Sequence, residues 1–206
     1  MGIIMKKAVI IFMIFALAVG LFGCAANSAD TQPPQDPDDL QPRQTDAPAE
    51  TTSVSSEPED DYVRYTGGGI SILLEGGFRP TTEEPGYIVY SNGFLTVILS
   101  ATDDYDRQML ENAGYDFSAL TEEDYASILV DANKLSTDSI FYDHFDNVCM
   151  RNSGATDSGS TYEAYNVVKK DEAHDRFWLL QFIGSPAVYE PYSVYFPEWA
   201  DSALFE

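Results

Sequence analysis

The side chains able to carry chemistry are few and widely spaced. The chain has two histidines, His144 and His174, and two cysteines, Cys24 and Cys149. A serine hydrolase needs a nucleophile on a sharp turn, a base and an orienting acid; no Gly-x-Ser-x-Gly stands anywhere in the chain. His144 lies in a strand pattern among acidic residues and His174 in a polar turn, so both read as surface or sheet-edge histidines. Cys149 alternates with Val148 and Met150 in an apolar strand. A reactive thiol needs an electropositive neighbourhood, and an acidic chain does not supply one, so Cys149 reads as buried and inert. Asp103-Asp104-Tyr105-Asp106 has the oxygen density of a calcium loop but lacks the Gly at its sixth position and the Glu at its twelfth. Asp143-His144-Phe145-Asp146 is of the same kind, and both read as solvated acidic loops. Gly67-Gly68-Gly69 follows no strand and opens no helix, so it is no nucleotide fingerprint and reads as a flexible lead-in to a domain. No catalytic, cofactor or metal site is therefore expected.

Charge bounds the partners. The 206 residues include 34 acidic and 11 basic side chains, a formal net charge of −23. Phosphate backbones repel such a surface, which excludes a general nucleic-acid binder. The 44% hydrophobic content is enough for a real core, and wholesale disorder is excluded.

The chain divides into three parts. In residues 1–23, Lys6 and Lys7 precede an apolar run from Ala8 to Gly23. This run is shorter than the roughly 20 residues of a membrane span and has the form of a signal peptide. It ends Leu21-Phe22-Gly23-Cys24. That ending resembles the lipobox of bacterial lipoproteins, with Phe22 larger than the residue usual at its place. The resemblance implies that the Cys24 thiol receives a diacylglyceryl group, that acyl chains such as palmitate anchor the protein in a membrane, and that Cys24 becomes the first residue. Residues 25–61 hold six prolines, ten acidic side chains, one basic side chain (Arg43) and no aromatic. This segment cannot bury enough apolar surface to fold and reads as a disordered, acidic, Pro-rich linker, with a reach of roughly 30–35 Å. Residues 62–206 hold 24 of the 27 aromatics, with 24 acidic and 8 basic side chains, and read as one folded domain.

Within that domain, Ile70–Leu74, Tyr87–Tyr90 and Phe94–Ser100 have strand patterns, and Asn92-Gly93 marks a hairpin between the last two. Thr121-Glu122-Glu123-Asp124 opens a helix with an acidic first turn. Tyr125, Ile128, Leu129, Ala132 and Leu135 then recur at helical spacing over 121–135. Ser139–Phe145, Asn147–Asn152, Thr161–Lys169 and Arg176–Gly184 are further strands. The last, RFWLLQFIG, is the most apolar and is expected at the centre of the sheet. Tyr189, Tyr192, Phe196 and Trp199 follow at helical steps, with a kink or break at Pro197, and Ser202–Glu206 is a short edge strand. The expected class is α+β: a mostly antiparallel sheet of about six or seven strands packed by helices.

Three segments carry a further resemblance: Gly69-Ile-Ser-Ile-Leu-Leu-Glu-Gly-Gly-Phe78, the apolar strand Phe177–Ile183, and the ending Phe196-Pro-Glu-Trp-Ala-Asp-Ser-Ala-Leu-Phe-Glu206. Together they resemble the Mog1/PsbP-like fold of small bacterial lipoproteins and photosystem subunits, over about 140 residues. Gly76-Gly77 stands where that family usually has Pro. The resemblance implies an α/β/α sandwich that docks onto larger assemblies. It implies no shared active site, so no functional residues carry over.

The reading that results is an exported lipoprotein, held by lipid on Cys24 at the outer face of the cell membrane, that presents a non-enzymatic domain to a protein partner. The alternatives are a small-solute or metal-binding lipoprotein and an envelope hydrolase using paired carboxylates.

Overall fold

A computed structural model describes residues 62–135, 139–156 and 158–206. The expected signal segment, Cys24 and the linker lie outside the described residues.

The first three strands are β1 (Tyr62–Gly67), β2 (Ile70–Glu75) and β3 (Arg79–Glu84), followed by β4 (Tyr87–Ser91) and β5 (Leu95–Ala101). Helix α1 (Asp104–Asn112), a 3-10 turn (Phe117–Ala119) and helix α2 (Glu122–Ala132) come next. Strands β6 (Ile140–Tyr142), β7 (Val148–Ala155), β8 (Thr161–Asp171) and β9 (Arg176–Gly184) then lead to α3 (Pro186–Tyr192), α4 (Phe196–Asp201) and β10 (Leu204–Phe205). The class is α+β, as the sequence predicts. The strands form two antiparallel sheets rather than one: seven strands in the order β3-β4-β5-β9-β8-β7-β6, and three in the order β1-β2-β10.

Strand β9 holds the centre of the large sheet. A central strand covered on both faces cannot alternate polar with apolar, and RFWLLQFIG does not. Trp178, Leu180 and Phe182 face one core, with Ile70, Ile72 and Leu74 of the small sheet and Tyr189, Phe196 and Trp199 of the C-terminal helices. Phe177 and Leu179 face a second core, with Leu110, Phe117, Tyr125 and Leu129. The layers are therefore the small sheet with α3 and α4, then the large sheet, then α1 and α2. Stacked rings mark both interfaces: Phe182 on Phe196, 5.0 Å between centroids, and Phe177 on Tyr125, 4.6 Å. Gln181 is the polar exception in β9. Its amide donates to Asn166 Oδ1 at 2.9 Å, and Asn166 donates on to Asn152 Oδ1 at 2.8 Å, so neighbouring strands share a buried polar row.

Several local readings change. Gly67-Gly68-Gly69 is not a lead-in but the turn of the β1–β2 hairpin, with Gly67 opposite Ile70. Gly68 (φ 63°) and Gly69 (φ 92°) take the left-handed conformations that a two-residue primed turn demands. Strand β3 has no apolar alternation because it is an edge strand, bulged between Pro80 and Thr82. Helix α1 buries only Leu110, too little for a visible apolar stripe. The C-terminal helix breaks at 193–195, ahead of Pro197. Pro197 sits in the first turn of α4, where a missing N–H costs nothing.

Trp199 is the keystone of the first core, meeting the rings of Phe78, Phe182, Tyr192, Tyr195 and Phe196. Trp199→Ala should cost about 3–5 kcal/mol of stability, read as a lowered urea midpoint. An unchanged midpoint would mean that the small sheet and α4 are not part of the cooperative core.

Candidate functional site

A polar cleft of about 220 Å³ lies at the β8–β9 turn, lined by Thr102, Asp103, Asp104, Arg107, Phe117, His174, Asp175 and Arg176. Its walls come from distant parts of the chain. Thr102 is pinned to β9: its N–H donates to the Phe177 carbonyl at 2.8 Å, and its hydroxyl accepts from the Phe177 N–H at 3.0 Å. Asp103 and Asp106 form the capping box that starts α1, with Asp103 Oδ1 accepting from the Asp106 N–H at 2.8 Å and Asp106 Oδ2 from the Asp103 N–H at 3.2 Å. The acidic run expected as a solvated loop is thus a helix start, and two of its carboxylates are engaged with backbone N–H groups.

The cations of the cleft are engaged as well. Arg107 donates to Asp175 Oδ2 at 2.8 Å and to the Asp175 carbonyl, and lies 4.3 Å from the Phe117 ring centroid. Ser118 Oγ donates to the same Asp175 oxygen at 2.9 Å. The Arg107 and Ser118 hydrogen bonds hold the Asp175 carboxyl below its ordinary range. Asp171 is buried at the end of β8, where it pairs with His174 Nδ1 at 2.8 Å and accepts from Arg176 Nε at 2.9 Å. Burial alone would raise its pKa; the bonds from His174 and Arg176 outweigh burial and lower it. Arg176 also lies 5.0 Å from the Trp178 ring. His174 and Asp171 form the base-and-orienter half of a hydrolytic set. The nearby hydroxyls of Ser118 and Thr102 are engaged instead with Asp175 and with the Phe177 N–H. The cleft therefore works as a clamp that ties α1 and the 3-10 turn to the β8–β9 hairpin.

Cys149 is buried. Burial pushes its thiol up to about 12, and its sulfur lies 3.1 Å from the Tyr165 hydroxyl, 3.3 Å from the Asn147 carbonyl and 3.6 Å from Asp143 Oδ2. The Tyr165 hydroxyl donates to Asp143 at 3.1 Å. Burial works against the Asp143 charge, but bonds from Asn147, Phe145 and Tyr165 leave its pKa lowered. A carboxylate beside the sulfur disfavours a thiolate, so this is a protonated structural thiol. His144 is exposed in the β6–β7 turn, its ring 4.2 Å from Phe145, rather than in a strand. The structure brings neither histidine to Cys149. Among the described residues, no group of three or more His, Cys, Asp or Glu side chains could hold a metal ion.

Sequence reasoning missed Arg107, Asp171, Asp175 and Arg176. The available signal was scarcity: with 8 basic residues among 24 acidic ones in the domain, each arginine has a partner to seek.

No protein-family model matches the chain, and no curated protein is similar to it. Solved structures are similar in chain path. The Saccharomyces cerevisiae Ran-binding protein Mog1p shares 10% identity over 70% of this chain and 94% of its own, with a TM-score of 0.45. The cyanobacterial PsbP (CyanoP) of Synechocystis sp. PCC 6803 shares 12% over 76% and 99%, with a TM-score of 0.35. A Bacteroides thetaiotaomicron VPI-5482 protein shares 11% over 69% of this chain, with a TM-score of 0.43, and the match spans about half (48%) of its length. These are likenesses of fold, and no functional residue is taken from them.

Two measurements check the site. In a Cys24→Ala chain, Cys149 should react with a thiol reagent at pH 8 slower by roughly three orders of magnitude when folded than in urea; equal rates would contradict the burial. Asp171→Asn should lower stability by about 1.5–3 kcal/mol at pH 7. A depressed folded pKa adds stability above the unfolded value, about 3.9 for Asp. That stability is lost as pH falls through the folded pKa, so the gap between the two chains should close in acid. A gap independent of pH would show that the charge of Asp171 is not what matters.

Proposed function

We propose that this chain is a lipid-anchored protein of the cell envelope that presents residues 62–206, a non-enzymatic docking domain, to a protein partner. In this reading Cys24 carries the lipid, residues 25–61 give reach, and the folded domain supplies the recognition surface. Tethering raises the effective concentration of that surface near membrane targets. The mature chain would carry 34 acidic and 9 basic residues. It would be repelled by an anionic bilayer and would be steered toward a basic partner.

The observation that carries the reading is what the candidate reactive groups do instead of chemistry. Cys149 is buried beside a carboxylate, Asp103 and Asp106 cap α1, and Asp171 and Asp175 bind Arg176 and Arg107. Each is committed to holding the domain together, which leaves the outer surface as the part available for work.

The test is a pull-down from detergent-solubilised membranes of producing cells, with the intact chain as bait and Cys24→Ala as control. The expected result is a reproducible membrane complex that the control loses. Recovery of the same proteins by both baits would remove the anchor from the account. Recovery of none at low salt would remove the docking role.

A further inference from the structure

The end of the domain where the chain enters carries large apolar side chains that the fold leaves exposed. Side-chain hydrogen bonds close the β4–β5 turn. Asn92 Oδ1 accepts from the Phe94 and Leu95 N–H groups at 3.0 and 2.8 Å, and Ser91 Oγ accepts from the Gly93 N–H at 3.1 Å while donating to the Leu95 carbonyl at 3.2 Å. Gly93 supplies the positive φ of 89°. This framework holds Phe94 outward with 69% of its surface exposed. The sequence reading places Phe94 inside the strand; the structure puts it at the tip of the turn.

The loop between α3 and α4 reaches the same place. The rings of Tyr192 and Tyr195 meet Trp199, Trp199 meets Phe78, and Arg79, next to Phe78, pairs with Ser91 at the base of the β4–β5 turn; Tyr192 also lies near Asn92 and Glu75. Val194 there is 69% exposed, and Tyr195 is 43% exposed while its ring stacks on Trp199. Exposed large apolar groups on ordered turns gain little from folding. A pre-organised aromatic tip loses little freedom on binding, which suits an interface anchor.

The rim is acidic. Glu190 and Glu198 are exposed on the two helices that flank residues 193–195, and Glu75 is exposed at the end of β2, against Arg79 opposite Ser91. Tyr62 pairs with Glu75 at this same end. An anionic bilayer would be repelled here, whereas a basic protein surface would be attracted.

We infer that Phe94, Val194 and Tyr195 form the docking surface of the domain, and that its partner is a protein offering an apolar pocket rimmed by lysine and arginine. This rests on the docking role proposed above and identifies the face that performs it.

The test is photo-crosslinking in producing cells. The full chain would carry benzoylphenylalanine at position 94 or 194, with controls at Glu172, in the turn at the opposite end of β9, and at the exposed Tyr105 and Tyr142. The expected result is one discrete protein adduct from 94 and 194, at least about tenfold above the controls. Its crosslinked peptide should contain apolar residues flanked by Lys or Arg, and its yield should fall several-fold between 50 and 500 mM salt. An adduct with the mass of a phospholipid, or with a second copy of this chain, overturns the inference. A partner adduct from 105, 142 or 172 but not from 94 or 194 also overturns it while leaving the docking role intact. No adduct from any position overturns both. Phe94→Ser with Val194→Ser should leave the urea midpoint unchanged and reduce capture of the partner identified in this way at least about tenfold; undiminished capture would count against these side chains.

Discussion

Burial of both faces of β9 is the constraint on which the rest of the domain depends. A strand with Trp178, Leu180 and Phe182 on one side and Phe177, Leu179 and Ile183 on the other must be covered twice. The chain meets that demand from both ends. The β1–β2 hairpin, α3, α4 and β10 cover one face, and the segment 104–132 covers part of the other. The cover on the first face is joined by its own bonds: the Ser202 hydroxyl accepts from the Leu73 N–H at 2.8 Å, and β10 pairs with β2. On the second face, Lys170 Nζ donates to the carbonyls of Ser118 and Leu120. Residues far apart in sequence thus become one cooperative unit.

The same demand accounts for the polar chemistry. Carboxylates far outnumber cations in the domain, so each cation is a resource for fixing loops. Arg107 joins α1 to the β8–β9 turn, and Arg176 satisfies buried Asp171. A buried carboxylate left without such partners would cost several kcal/mol, which explains why Arg176 stands beside Asp171, the buried acid of the domain. The acidic groups left over face solvent and give the surface its sign.

Legibility in the sequence followed burial. Strand β9 was evident because a two-sided strand writes an unbroken apolar run, and α2 because Thr121 and Asp124 form a capping box ahead of a 3.6-residue pattern. The Asn92-Gly93 turn was evident from the residue types: Gly93 supplies the positive φ, and the Asn92 side chain accepts from the Phe94 and Leu95 N–H groups. Strands β1 and β3 left weaker marks, since edge strands show one face or both to water. The Asp103 cluster was ambiguous because carboxylates that cap a helix and carboxylates that bind calcium are the same residues at similar spacing. The Arg107–Asp175 pair spans 68 positions, and only the fold brings it together. Phe94 looked like strand because aromatic residues favour strands; its hydrogen-bonded turn, not its propensity, decides where it points.

In the function proposed above, a domain with a spent interior and a usable surface stands at the end of an anchored linker. The most direct test of that proposal is the intact mass of the chain purified from the membranes of the cells that make it. The account predicts a chain that begins at Cys24 and carries a thioether-linked diacylglyceryl group. A chain that retains residues 1–23, or one that begins near Cys24 with an unmodified thiol, would contradict it.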